Sequence, residues 1–291
     1  MDLTLSILIS VAMAATPLLL AATGELVTEK SGVLNLGVEG MMLVGAVTAF
    51  AVASTTGSYF VGTLAGALGG MAMATLFALL TLGLLANQVA TGLALTLAGV
   101  GLSALAGKEF VGHPIEGMPR ILGVDGLVIL SLALVVFTHW LLYKSRAGLV
   151  LRAIGENPEA AHAVGYGVRK VRLAAVLYGG ACSGLAGAFL SLSYTPMWAE
   201  NMSAGRGWIA LALVVFATWR PARVLLGAYL FGGITIAQLH LQGLGVAIPS
   251  QVLAMLPYLA TVLVLVLISR DESRIKLNAP ASIGKIFYPD R

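Results

Sequence analysis

Residues 144–172 read KSRAGLVLRAIGENPEAAHAVGYGVRKVR, set between apolar runs at 124–143 and 172–193. The stretch is too polar to cross a bilayer and too long for a tight turn. Pro158 suits the first turn of a short helix with Asn157 as its cap. Ala160, Ala161 and Ala163 favour helix, and Gly165 and Gly167 predict where it ends. The expectation is a short helix held at one face of a membrane and flanked by Lys144, Arg146, Arg152, Arg169, Lys170 and Arg172. On residue chemistry alone, a solvated connection and a built docking element both remain open.

Outward from this stretch the chain is strongly apolar. Of 291 residues 58% are hydrophobic and only 10% charged, where an average soluble domain is about a quarter charged. A membrane-spanning helix takes about 20 mostly apolar residues. Candidates are 3–23, 34–55, 59–86, 89–107, 124–143, 172–193, 207–219, 222–242 and 249–269. The predicted fold is therefore all-α: a polytopic transmembrane helical bundle of about nine spans (eight to ten), one domain over 1–291 with a tail at 270–291. The third candidate is long enough to contain a break. The seventh is short enough to be half of a broken helix or a re-entrant segment. No alternating ten-residue pattern recurs, so a transmembrane barrel is not expected. The first apolar run follows Asp2 without a basic region, which predicts a retained span rather than a cleaved signal.

The basic residues orient the bundle. The 144–172 loop holds six, the tail holds Arg270, Arg274, Lys276, Lys285 and Arg291, and Arg220, Arg223 and Lys30 join them. Fourteen of the 17 basic residues thus fall on one side, leaving Lys108, Arg120 and Arg206 for the other. That side is predicted to be cytoplasmic, with the N-terminus outside and the C-terminus inside. Because the cations lie in short loops they report topology, and no nucleic-acid partner is expected. With Cys182 as the single cysteine, a disulfide within the chain is excluded.

Small and polar residues inside the spans carry the next layer. Gly62, Gly66 and Gly70 recur every four residues, as do Gly180 and Gly184, so backbones can approach closely there, within the chain or between subunits. Glu25, Glu29, Asn35 and Glu39 lie at or inside the membrane boundary, where ionisable groups need a reason. Asn35 and Glu39 are four apart, which on a helix places them on one face. They either line a translocation path or clamp helices together. Glu29 and Lys30 read as a solvated interfacial pair. Gln88, Trp208 and Tyr194 could contact a flat aromatic solute, although Trp208 near a helix end also suits an interfacial anchor. His113, His139, His162 and His240 fall on separate segments, so no metal site is expected.

Glu159, Ala160, Ala161 and Gly165 resemble the E-A-A-x-x-x-G core by which permeases of binding-protein-dependent ABC importers meet their ATPases. The I-x-L-P that follows in the fuller motif is replaced by Ala175-Val176-Leu177-Tyr178. RAIGENPEAAHAVGY is instead similar to the ribose, branched-chain amino acid and nucleoside permease group. Other matches follow in chain order: Thr28 to Ala46; Asn87-Gln88-Val89-Ala90-Thr91-Gly92; Gly205 to Ala210 leading to Trp219-Arg220-Pro221; Ile248 to Leu267; and Pro280 to Phe287. Within the group the likeness is greatest to the shorter permease subunit of nucleoside and simple-sugar importers.

The resemblance implies an ATPase-coupling loop at Gly155, Glu156, Asn157, Pro158, Glu159, Ala160, Ala161 and Gly165. It implies translocation-path candidates at Asn35, Glu39, Asn87, Gln88 and Trp208. Implied partners are an ABC ATPase subunit, a second paralogous permease and an extracellular or periplasmic solute-binding protein, in a bacterial inner membrane. ATP would be bound by the partner subunit and no cofactor by this chain. Consistent with that, the phosphate-cradling G-x-x-x-x-G-K-[ST] is absent: Gly101 to Lys108 has one residue too many between its glycines, and Glu109 where a hydroxyl is needed. No nucleophile–base constellation stands out. The competing class is an ion-coupled secondary transporter, which also uses broken helices and midplane acids.

Overall fold

The computed structural model describes residues 3–121, 123–243 and 278–288, with isolated positions between 252 and 266. Among them are ten α-helices, seven of which are long and apolar enough to cross a membrane. In chain order these are α1 (Leu3–Lys30), α2 (Val38–Thr56), α3 (Tyr59–Ala78), α4 (Gln88–Gly107), α5 (Gly126–Lys144), α6 (Arg146–Glu156), α7 (Pro158–Ala163), α8 (Val168–Phe189), α9 (Arg206–Phe216) and α10 (Pro221–Gly243). The polytopic helical bundle is as expected. The short α6, α7 and α9 do not span, and the ninth expected span, 249–269, and tail residues 270–277 lie outside the described residues apart from those isolated positions.

Several boundaries move for physical reasons. The first span runs to Lys30 rather than 23, because Glu25 and Glu29, each 1% exposed, are buried with hydrogen-bond partners instead of marking an interface. The expected break in the third span is a π-helical turn, Leu79–Gly83, after α3. The shortened seventh span is α9, which is only 11 residues long. Between α9 and α10 the backbone turns through Thr218 and Trp219, both at positive φ (47° and 53°). Among the described residues, β-structure is an isolated bridge between Val111 and Trp198 and a hairpin, Arg120–Ile121 against Val124–Asp125. Its last residue caps α5, Asp125 accepting from the N–H groups of Leu127 (2.9 Å) and Val128 (3.1 Å).

The bundle is built around α1, α2, α3 and α8. Where α2, α3 and α8 cross, glycines face one another. A Cβ on Gly45 would strike the backbone of Gly184, one on Gly66 the carbonyl of Gly45 and the side chains of Ala49 and Ala188, and one on Gly70 the backbones of Gly180 and Gly184. The small-residue repeats therefore serve packing within the chain, where dispersion between backbones replaces a hydrophobic effect that lipid does not supply. α1 is sheathed on its other flank by α5, α9 and α10, through Leu19, Leu20, Leu213, Val214 and Phe231.

Candidate functional site

The 144–172 loop folds as a hairpin of two short helices. Ser145 caps α6 by accepting from the Gly148 N–H (3.0 Å), and Asn157 caps α7 by accepting from the Ala160 N–H (2.9 Å), with Pro158 at the first helical position. α7 ends in a Schellman motif: the Gly165 N–H donates to the His162 carbonyl (2.8 Å) and the Tyr166 N–H to that of Ala161 (3.1 Å). Gly165 sits at φ +93°, a conformation that disfavours any side chain. One face of the hairpin, Leu151, Ile154, Gly155, Pro158 and Ala161, is buried against the bundle. The opposite face leaves Leu149, Glu156, Glu159, Ala160 and Val164 exposed, Val164 at 77%. Both ends are capped and one face is anchored, so the hairpin is stiff.

The chain's own tail clasps this hairpin. The Ser282 N–H and Oγ both donate to the Gly155 carbonyl (2.9 and 2.7 Å). Phe287 fills a pocket with Ile154, Ala161 and Val168 and meets the His162 ring edge-on at 5.5 Å. On its other side the tail touches three further elements. Lys30 Nζ donates to the Asn278 carbonyl (2.6 Å), the Gly284 N–H to the Gly32 carbonyl (3.1 Å), and Gln88 Nε2 to the Lys285 carbonyl (3.5 Å). Arg172 of α8 ties the set together, donating to the carbonyls of Ser31 (3.1 Å) and Lys285 (3.2 Å) and to Ser282 Oγ (3.2 Å). Residues 280–287 thus connect the hairpin to the ends of α1, α4 and α8.

The expected shared helix face of Asn35 and Glu39 is not found. Asn35 lies in the non-helical 31–37 segment before α2, where its side-chain oxygen accepts from the Gly37 N–H (2.9 Å) and its own N–H donates to Glu25 (3.2 Å). Gln88 props the same segment, accepting from the Leu34 N–H (2.8 Å), while Asn87 caps α4 through the Ala90 N–H (3.0 Å). The expected solvated pair of Glu29 and Lys30 is not found either. Consecutive helical residues point in different directions, and Glu29 instead accepts from the Trp219 indole (2.5 Å) while Lys30 meets the tail.

Glu39, 4% exposed on the first turn of α2, receives the start of α9. One carboxylate oxygen accepts from Ser203 Oγ (2.6 Å) and the Gly205 N–H (2.8 Å), the other from the Gly207 N–H (2.6 Å). A carboxylate at a helix N-terminus satisfies unpaired N–H groups and meets the positive end of the dipole. The half-helix α9 is held at one end by Glu39 and, just past the other, by Trp219 on Glu29. Trp208 lies on the outer side of α9, 39% exposed, and Tyr194 stacks beneath the Arg206 guanidinium at 5.3 Å. Of the five path candidates, Asn35, Glu39 and Gln88 are buried with partners within the chain, Asn87 is exposed while capping α4, and Trp208 is exposed with no hydrogen bond among the described residues. Among the described residues no three His, Cys, Asp or Glu side chains gather as a metal site would require.

A polytopic apolar bundle with a rigid polar hairpin at one end has the form of a transporter's membrane subunit. Residues 7–268 match the family described as branched-chain amino acid transport system / permease component, and the chain belongs to that family. It is 40% identical, over 97% of both chains, to a putative glucose ABC transporter permease protein, TsgC13, of Haloferax volcanii. It is 32% identical to the nucleoside ABC transporter permease protein NupC of Lactococcus lactis, over 87% of this chain and 89% of that one. With the guanosine ABC transporter permease protein NupQ of Bacillus subtilis it shares 30% identity over 86% and 88%. No solved structure matches the chain. It is a multi-pass ABC permease, a membrane subunit with no catalytic role of its own.

Proposed function

We propose that this permease imports nucleosides or simple sugars delivered by a solute-binding protein, and that a separate ATPase grips the α6–α7 hairpin to drive it. The observation that bears most on this is the hairpin's construction. Its caps, its Schellman end and its tail clasp make a stiff lever, and its outward face pairs the acids Glu156 and Glu159 with the uncovered apolar Leu149 and Val164. Exposed apolar groups on an otherwise anchored polar element favour a protein partner.

In this reading Glu159 and Ala160 meet the ATPase, while Gly155, Asn157, Pro158, Ala161 and Gly165 shape and seat the hairpin. ATP is bound and hydrolysed by the partner, the hairpin end of the bundle is cytoplasmic, and the N-terminus lies outside a cell membrane. The chain acts as one domain beside a second, paralogous permease. The names of the relatives support glucose-like sugars and nucleosides as the solute class, and the broad, uncovered Trp208 suits a flat or ring-shaped solute.

Uptake into proteoliposomes holding the complete transporter tests the assignment. Glu159→Lys and Gly165→Val are expected to abolish ATP-dependent uptake while insertion and permease pairing persist. Uptake at the normal rate in both variants would overturn the docking role, as would labelling of residues 150–170 from outside the cell.

A further inference from the structure

Between α5, α6 and α8, with Val27 of α1 at its back, the bundle leaves a cleft of about 710 Å³. Its inner end is closed where α5 and α8 touch: Thr138 and Tyr178 share a hydrogen bond (2.8 Å), and the rings of Phe137 and Tyr178 lie 6.5 Å apart. From there the lining runs outward through Leu141, Val150, Leu151, Val171 and Ala174 to a mouth flanked by Arg146, Tyr166 and Lys170. The order along α8 is instructive. Lys170, Val171, Ala174 and Tyr178 fall on one face, so charge gives way to apolar surface over eight residues, about 12 Å of helix. Arg146 and Lys170 are exposed and, among the described residues, make no hydrogen bond or ion pair. Lys170 lies in the first turn of the spanning helix α8, and Arg146 follows two residues after the end of the spanning helix α5.

We propose that this cleft is a binding site for one anionic phospholipid, its phosphate between Arg146 and Lys170 and an acyl chain laid inward to Tyr178. The two ends make different demands, and a lipid meets both. A free phosphate would leave about 12 Å of apolar wall uncovered, and a neutral amphiphile would leave two unpaired cations at the mouth. Basic pockets between membrane helices take acidic lipid headgroups on the same grounds. Tyr166 closes the Schellman turn of α7 and Lys170 stands in the first turn of α8, so an occupied cleft would buttress the root of the hairpin.

Lipid retention by the purified protein, read by native mass spectrometry in detergent, tests this without any transport assay. The probes are dioleoyl phosphatidylglycerol, dioleoyl phosphatidylcholine and glycerol 3-phosphate. One tightly held phosphatidylglycerol per chain is expected, with no retention of glycerol 3-phosphate. Each of Arg146→Gln and Lys170→Gln should cut the preference over phosphatidylcholine about fivefold, since a basic residue at an anionic surface contributes about 1 kcal/mol. Ala174→Phe, which fills the cleft and leaves its mouth intact, should lose both lipids. Equal retention of the two lipids by the parent protein, or unchanged retention in all three variants, would mean general annular lipid and overturn the site. Retention of glycerol 3-phosphate alone would mean an anion site with no lipid, and would overturn it equally.

Discussion

The Glu39 carboxylate on α2 accepts the backbone N–H of Gly207 on α9 at 2.6 Å, across 168 residues of chain. With Ser203 and Gly205 on the other oxygen, three donors depend on one side chain. Removing it strands two backbone N–H groups and a hydroxyl in a buried place, each costing about 1–3 kcal/mol. Glu39→Ala is expected to destabilise by about 3–5 kcal/mol, seen as a large fall in the thermal midpoint in detergent. Glu39→Gln turns a donor toward the α9 amides, whereas Glu29→Gln disturbs the single Trp219 bond. Uptake should therefore fall more in Glu39→Gln than in Glu29→Gln, and equal rates would show that the clamp on α9 does not govern transport.

The turn that enters α9 carries avoidable strain. Ala204 sits at φ +48°, exposed, directly before Gly205. The left-handed region costs a non-glycine residue about 1–2 kcal/mol, partly offset by the extra unfolded-state entropy of glycine. Ala204→Gly is expected to stabilise by about 0.5–1 kcal/mol, measured as a raised thermal midpoint. A lowered midpoint would mean that the left-handed conformation costs Ala204 less than glycine's extra unfolded-state freedom.

At the glycine crossing the geometry separates two superficially similar sites. Gly184→Ala pushes a methyl into the Gly66 and Ala67 backbones and should cost about 1–3 kcal/mol. Gly101 of α4 has open space around its Cβ position, and Gly101→Ala should be neutral or stabilising by up to about 1 kcal/mol. Thermal unfolding of the pair, side by side, reads the difference directly.

The tail clasp predicts a local effect. Ser282→Ala leaves its N–H on the Gly155 carbonyl but removes the hydroxyl that Arg172 and Gly155 share, a loss of about 1–2 kcal/mol. Amide hydrogen exchange should quicken in 150–165 and leave α2 and α3 unchanged. Exchange that quickens uniformly would show Ser282 to be an ordinary packing residue.

What sequence reasoning reached was what is local. Asn157, Pro158 and Gly165 lie within nine residues, and each acts on backbone groups a turn away, so α7 and its ends are legible in the sequence. The bundle followed from composition, and the glycine repeats from their four-residue period. What escaped depends on chain distant in sequence. Arg172 counts as one more cation in a basic loop, yet it is 1% exposed and spends its guanidinium on Ser31, Ser282 and Lys285. Pro280 to Phe287 is recognisable as a string, but nothing in it names Gly155 or Gly32 as its partners. Glu29 reads as interfacial because acids usually are, and Glu25 reads only as lying at or inside the membrane boundary. Only the fold supplies the Asn35 amide and the Trp219 indole that let them lie deeper.

The glycine crossing has a mechanical corollary. Where Gly45, Gly66, Gly70, Gly180 and Gly184 meet, main chains touch without side chains to swivel, so α2, α3 and α8 must travel as a single block. Compliance is left to the joints around that block: the π-turns at Leu79–Gly83 and Leu190–Tyr194 and the Thr218–Trp219 elbow. A pull arriving through the hairpin would swing α9 and α10 about the elbow and leave the block unbent.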